Sequence, residues 1–241
     1  AINIVLREPS PGEKRINAGY GSFNTKTADG AATLYSTDKL KIGANLGGTK
    51  SDGYYLTPEE YRNPNMVATS SNSLNFLISA YLTPSAFSKY YLKFLGSQAN
   101  EKGLVWNGTE NSWDKYQISG GGSTHLTNSA SVNTSAWINK GEMDTTNVAL
   151  QNGGLSYTYN IFNPTVGTPY VSQIEQAKYD SSGGSVFYSD EFGDIKDFKV
   201  GVDLRDITAD DRINLYTVAG APSVIDINGE HRFLGVFAQG T

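Results

Sequence analysis

Few side chains of this chain have the chemistry of a catalytic centre. The sequence has no cysteine and only two histidines, His125 and His231. Ser123 lies near His125 and could pair with it as nucleophile and base, but no serine stands in the Gly-x-Ser-x-Gly turn that exposes such a nucleophile. Both histidines are therefore expected to be surface or cross-strand residues rather than catalytic bases.

Pairs of carboxylates are the second possible chemistry, because glycoside hydrolysis needs two acids about 5–10 Å apart. Glu142 and Asp144 would share one face of a strand, whereas Asp190 and Glu191 would point to opposite faces. Acidic residues are mostly exposed, so solvated surface carboxylates are the simpler interpretation. We expect a protein that is not an enzyme and has no cofactor and no metal site. Calcium binding by the acidic stretch at residues 190–197 stays open, although the spacing of an EF-hand loop is absent.

The aromatic residues make the stronger functional argument. Flat rings beside amide and carboxylate groups stack on sugar rings, and tyrosine and tryptophan also anchor protein interfaces. Four aromatic residues that lie in or beside a polar, glycine-rich stretch are the predicted ligand-binding residues: Trp106, Trp113, Tyr116 and Trp137. The alternative is that these rings fill the core, where large aromatics are mostly found.

The elements that would position these residues read mainly as strands. Apolar and polar residues alternate with period 2 at residues 2–6 and 155–161, as in half-buried antiparallel strands. Near the end of the chain, Asn228-Gly229 separates two such runs and predicts a hairpin over residues 223–238. The pattern favours a mainly β fold, an antiparallel β-sandwich or jelly-roll-like domain with a few short helices and long loops. We expect one domain over residues 1–241, with a loop-rich excursion at about 107–153.

Short helices are predicted at three places. Residues 57–60 and 172–175 have the spacing of capping boxes, and aromatic residues recur at helical spacing over residues 87–95. In the last of these the rings are expected to pack into the core.

Composition narrows the function further. The net charge is −5 and no run of lysine or arginine is present, so a nucleic-acid partner is not expected. No apolar stretch approaches the roughly 20 residues of a membrane-spanning helix, so membrane insertion is not expected. We therefore expect a non-enzymatic structural subunit of an extracellular assembly, most simply a virion capsid, decoration or tail component at a virion surface. Its partners would be copies of itself or other subunits. The alternative is a carbohydrate-binding adhesin or polysaccharide-acting protein that contacts surface glycans through the aromatic residues.

Overall fold

The computed structural model describes residues 8–62, 64–151, 168–193, 195–218 and 222–240. Within these ranges ten antiparallel strands pair in their order along the chain. The strands are β1 (Lys14–Gly21), β2 (Thr25–Ser36), β3 (Leu40–Tyr54), β4 (Thr69–Ser85), β5 (Ser88–Lys102), β6 (Glu110–His125), β7 (Ser131–Leu150), β8 (Pro169–Phe192), β9 (Ile195–Leu215) and β10 (Ser223–Gln239). The prediction of a mainly β, antiparallel chain is confirmed. A sandwich or jelly roll is not, because all ten described strands lie in one sheet.

The predicted C-terminal hairpin is wrong. Residues 223–239 form the single strand β10, in which Asn228 lies opposite Asp210 and Gly229 lies opposite Ala209 of β9. Asn-Gly permits a hairpin turn but does not impose one. Here the backbone groups of both residues are taken up by the ladder to a longer neighbouring strand.

The predicted helices are also wrong, apart from a single 3₁₀ turn at Glu59–Tyr61. Residues 87–95 lie almost entirely in β5, which carries aromatic or apolar side chains on both of its faces. Two period-2 patterns, one on each face, together mimic helical spacing. Residues 172–179 lie in β8, where the apparent capping box is part of a strand.

The remaining predictions concern strands at the start and in the middle of the chain and a region expected to be rich in loops. The strands expected at residues 2–6 and 155–161 lie outside the described residues. The stretch at residues 107–153, expected to be rich in loops, consists mostly of strands β6 and β7.

The two ends of the sheet differ in how the strands are connected. At one end, the short-turn end, the connections are residues 37–39, 86–87, 126–130 and 193–194. At the other, the long-loop end, they are residues 22–24, 55–68, 103–109, 151–168 and 216–222. The sheet therefore has one end of tight turns and one end that, β1–β2 apart, carries longer connections.

Burial is sparse for a sheet of this size. The buried hydrophobic cluster lies at the long-loop end, where Met66, Trp106 and Val148 pack together with Val105 and Leu150 beside them. Val67 N–H donates to the Val105 carbonyl at 3.0 Å, which ties two of the loops together. Among the described residues no helix has the length and apolar character needed to cross a membrane.

Candidate functional site

The strand pairing assigns every strand residue to one of two faces of the sheet, because directly opposed residues share a face and successive residues alternate. We call front the face that carries Ile78 of β4, and back the face that carries its neighbour Leu77. The contacts of glycines agree with this assignment: a Cβ atom at Gly48 would lie 3.8 Å from Leu74, which is opposite it on the front face.

The front face carries a continuous apolar band. On β4 five successive front-face residues belong to it: Leu74, Phe76, Ile78, Ala80 and Leu82. One row of directly opposed front-face residues across six strands contains no polar side chain: Ala80, Leu92, Gly120, Ala136, Gly184 and Leu204. Ile78 is 46% exposed and Leu204 is 54% exposed, so nothing in the described chain covers the band.

Between β4 and β9 the edge of the apolar band nearer the long-loop end crosses the strands obliquely, whereas from β2 to β4 it follows a single row. On β4 this edge is at Leu74, and on β9 it is at Leu204, beyond which the front face carries Asp206. The row of Leu204 reaches β4 at Ala80, six residues (80 minus 74) from Leu74. The edge therefore shifts along the strands by six residues of about 3.3 Å while it crosses five strand spacings of about 4.8 Å. These two lengths tilt the strands by about 40° from the normal of the band.

Beyond this edge the front face becomes a lattice of ion pairs. Lys140 Nζ lies 3.5 Å from Asp180 Oδ1, and Lys178 Nζ lies 2.9 Å from Glu142 Oε1. Near the edge itself, Arg232 Nε donates to Asp206 Oδ2 at 3.1 Å. Charged groups thus take over the front face where the apolar band stops.

Over the same length of strand the back face of β7 and β8 is mainly polar. Hydroxyl and amide side chains of β7 and β8 bond across the ladder: Ser131 with Ser189 at 2.8 Å, Ser135 with Ser185 at 2.8 Å, and Asn139 with Ser181 at 3.1 Å. These pairs stabilise the sheet without apolar packing. They make the back face a surface for water or a polar solute.

A belt of cations and aromatic rings crosses the back face at mid-height. Its members, the cation–aromatic belt, are Tyr81, Tyr91, Lys93, Trp137 and Arg205. Lys93 Nζ lies 4.7 Å from the centre of the Tyr91 ring and 5.7 Å from that of Tyr81. The Arg205 guanidinium lies 5.8 Å from the Trp137 ring and donates to Asp203 at 3.0 Å. Flat faces and positive charge are therefore presented together.

The segment that precedes β1 folds onto the back face at the short-turn end. Thr33 Oγ1 donates to the Ser10 carbonyl at 2.6 Å, and Lys41 Nζ lies 3.4 Å from Glu8 Oε2. Pro9 occupies the space over Gly43, where a Cβ atom would overlap the proline ring. Residues 8–10 thus cover part of the polar face near β2 and β3.

The four predicted ligand-binding aromatics do not form one site. Trp106 is 2% exposed and belongs to the buried loop cluster. Trp113 and Trp137 lie on the back face, but six rows of the β6–β7 ladder separate them. Tyr116 lies on the front face, where its hydroxyl accepts from Gln98 Nε2 at 3.3 Å. Trp137 alone joins the cation–aromatic belt, which sequence reasoning missed because its members come from four different strands.

The remaining candidates have structural partners. Glu142 and Asp144 share the front face as expected; Glu142 pairs with Lys178, and Asp144 accepts from Gln176 Nε2 at 3.1 Å. His125 ends β6 and His231 lies within β10 opposite Ile207. In the part of the chain that the structure describes, no group of three histidine, aspartate or glutamate side chains could hold a metal ion.

At the long-loop end, Glu110 begins β6 beyond the apolar band. Its Oε1 accepts from Asn100 Nδ2 at 2.7 Å and lies 3.0 Å from Lys102 Nζ. The hydrogen bond from Asn100, followed by that from Lys102, lowers the pKa of Glu110 below its ordinary value.

Comparison with known proteins adds a likeness of fold. No protein-family model matches the chain and no curated protein matches its sequence. The ferric-catecholate import receptor Fiu of E. coli K12 has a similar fold in two solved forms. The open form gives a TM-score of 0.50 at 9% identity, covering 96% of this chain and 52% of the receptor chain. The closed form gives 0.52 at 9% identity, covering 96% and 48%. The chain spans about half the length of these receptor chains.

These findings correct the functional prediction. The prediction of a virion structural subunit is wrong, since the two solved structures with a similar fold are those of an import receptor and not of a capsid, decoration or tail component. The expectations that accompanied it, namely self-assembly, adhesion to glycans and absence of membrane insertion, are corrected with it.

Proposed function

We propose that this chain forms part of the membrane-spanning wall of an outer-membrane import receptor, with the front face toward lipid and the back face toward the lumen. The observation that carries this function is the oblique apolar band on the front face. Its tilt of about 40° falls within the 35–45° of strands in transmembrane sheets. Along β4 the band runs from Leu74 to Leu82. The eight residue steps between them give a height of about 20 Å at this tilt, close to the ~25 Å apolar belt of such proteins.

A lipid environment also explains why the sheet is a single layer. A sheet in water buries its apolar face against a second layer. Here front-face residues such as Ile78, Leu92, Leu204 and Leu234 are about half exposed or more, and no described element packs over them. Hydrocarbon around the band would replace the missing layer.

The asymmetry of the connections supports the same orientation. Transmembrane sheets of the outer membrane have short turns on the periplasmic side and longer loops on the outside. The short-turn end would therefore face the periplasm, and the long-loop end, with the buried cluster around Trp106, would face outward. This placement puts the ion-pair lattice of the front face outside the hydrocarbon.

The two edges of the sheet require further strands. Within the described residues β1 pairs only with β2, and β10 pairs only with β9. Unpaired backbone groups are not tolerated in hydrocarbon, so a membrane wall closes on itself. Strands beyond these ten would complete a closed wall with the cation–aromatic belt on its inside.

The belt favours an anionic solute with flat faces. Lys93 and Arg205 supply positive charge, while Tyr91 and Trp137 supply rings for stacking. The similar receptor Fiu is described as importing ferric catecholates, which combine both properties. We infer that ferric catecholate chelates are the class of solute that moves through the lumen enclosed by this wall.

Binding by the full-length polypeptide in nanodiscs tests the solute. A ferric tris-catecholate chelate is titrated by following quenching of tryptophan fluorescence. Lys93→Gln with Arg205→Gln should weaken binding about tenfold or more, as expected for loss of charge-assisted contacts. Lys140→Gln, a front-face control, should leave binding unchanged. Equal binding by all variants, or no binding by the wild type, would remove the proposed solute.

A further inference from the structure

The front face of β1–β4 contains an elongated trough. Its floor is formed by small front-face residues of β2, namely Ala28, Gly30 and Ala32. Ile16 of β1 stands on one side, and Leu46 with Leu74 stands on the other. The trough has a volume of about 950 Å³, and it runs along the strands for about six residues, or about 20 Å.

The end of the trough nearer the long-loop end has two lysines. Lys26 of β2 and Lys50 of β3 lie directly opposite each other, next to Asn72 of β4 in the same row. This row is the first polar one beyond the apolar band on these strands. Both lysines line the trough.

These two lysines differ from the front-face cations of β7, β8 and β10, and resemble Lys14, which lines the other end of the trough. Lys140, Lys178 and Arg232 each lie within 4 Å of a carboxylate. For Lys26 and Lys50 the described residues provide no carboxylate partner. Like charges directly opposite each other in a ladder are destabilising. An anion bound between the two ammonium groups would replace this destabilising repulsion with stabilising attraction.

The geometry points to a bound lipid whose phosphate lies between Lys26 and Lys50 and whose acyl chain fills the trough. The phosphate would accept hydrogen bonds from both ammonium groups at the level where headgroups begin. The acyl chain would lie on Ala28 and Gly30, because a methyl group and a hydrogen atom leave room for it. The occupant is a phosphate-bearing lipid of the surrounding leaflet. This site goes beyond solute transport and rests on the proposed membrane placement.

Native mass spectrometry of the full-length polypeptide in detergent tests this site. The probes are dioleoylphosphatidylglycerol, dioleoylphosphatidylcholine and inorganic phosphate. We expect one phosphatidylglycerol to be retained in preference to phosphatidylcholine. Lys26→Gln with Lys50→Gln should reduce that retention about tenfold. Ala28→Phe should reduce it similarly by filling the trough while both lysines stay in place. Lys140→Gln, a control lysine with its own carboxylate, should not change it.

Several outcomes would overturn the lipid site. Equal retention by the wild type and the lysine variant would show that the two lysines bind no lipid phosphate. Loss in the lysine variant without loss in Ala28→Phe, or displacement of the lipid by millimolar inorganic phosphate, would show an anion site without an acyl trough. Circular dichroism checks that each variant keeps its strands. Failure of the wild type to insert into nanodiscs would instead contradict the proposed function, independently of lipid retention.

Discussion

The indole ring of Trp137 lies over Gly183, the residue directly opposite it on the neighbouring strand of the back face. A Cβ atom at position 183 would overlap the ring and would also lie 2.7 Å from the Leu204 carbonyl oxygen. The absence of a side chain at Gly183 therefore lets the ring lie flat on the sheet, with Arg205 beyond it in the same row.

Gly183→Ala should displace Trp137 and separate it from Arg205. We expect a loss of about 1–3 kcal/mol in the free energy of unfolding, typical of overpacking. Denaturant titration in vesicles measures it. The loss should be smaller in a Trp137→Ala background, although not zero, because the new Cβ atom would still lie too close to the Leu204 carbonyl oxygen. An equal cost in both backgrounds would show that the ring does not depend on this glycine.

Neighbouring residues on β4 offer a matched test of the two faces. Ile78→Arg puts a cation on the front face near the middle of the band, and should cost about 2–4 kcal/mol in unfolding free energy. Leu77→Arg puts the same side chain one residue away on the back face, where water can solvate it, and should cost clearly less. Unfolding from vesicles of matched composition gives both values. A larger cost for Leu77→Arg would reverse the assignment of the faces.

The buried loop cluster should depend on Trp106. Trp106→Ala removes a nearly fully buried ring and should cost about 3–5 kcal/mol in local stability. Hydrogen exchange at the Val67 amide, which bonds to the Val105 carbonyl between the loops, reports this change. Trp113→Ala, which removes a ring that is 36% exposed, is the control and should leave that amide protected. Equal effects would show that the cluster does not tie the loops together.

Glu110 predicts a pH dependence at the long-loop end. The hydrogen bonds from Asn100 and Lys102 lower the folded-state pKa of Glu110. They therefore stabilise the fold at pH values above the unfolded pKa of about 4.3, and this stabilisation is lost as the pH falls through the folded-state pKa. Glu110→Gln should cost less than about 1 kcal/mol at pH 7, because the side chain is 43% exposed and solvent screens its interactions. The difference from the wild type should shrink as the pH falls through the lowered folded-state pKa of Glu110. A difference independent of pH would contradict this assignment.

Part of the fold could be read from the sequence, because alternation along a strand is a local pattern. The two alternating runs within residues 223–238 predict extended strand and do lie in a strand, although as the single strand β10 and not as a hairpin. Their environment was not predicted. A strand half-buried in a sandwich and a strand facing lipid both carry apolar residues on one side, so the pattern alone cannot separate them.

The apolar band and the cation–aromatic belt depend on the register between strands, which cannot be derived from the pattern of a single strand. Leu74 and Leu204 mark the same edge only because five strand pairings relate them. Lys93 and Arg205 lie in one row for the same reason. Proximity along the chain grouped Trp106 with Trp113 and Tyr116, whereas the strands direct these rings to three different environments.

Spin labelling directly tests whether the front face lies in lipid. The chain has no cysteine, so single cysteines can be introduced along residues 74–82 of β4 in the full-length polypeptide without removing native ones. In vesicles, labels at Phe76, Ile78 and Ala80 should collide with dissolved oxygen, and labels at Asn75 and Leu77 with a water-soluble nickel chelate.

The same measurement tests the tilt. Labels at Leu74 and Leu204 should lie at equal depth, with Ala80 deeper although it shares the row of Leu204. The predicted result is an accessibility ratio that alternates with period 2 and a band edge that follows this oblique line. Uniform access of the nickel chelate to both faces would contradict the placement of the front face in lipid.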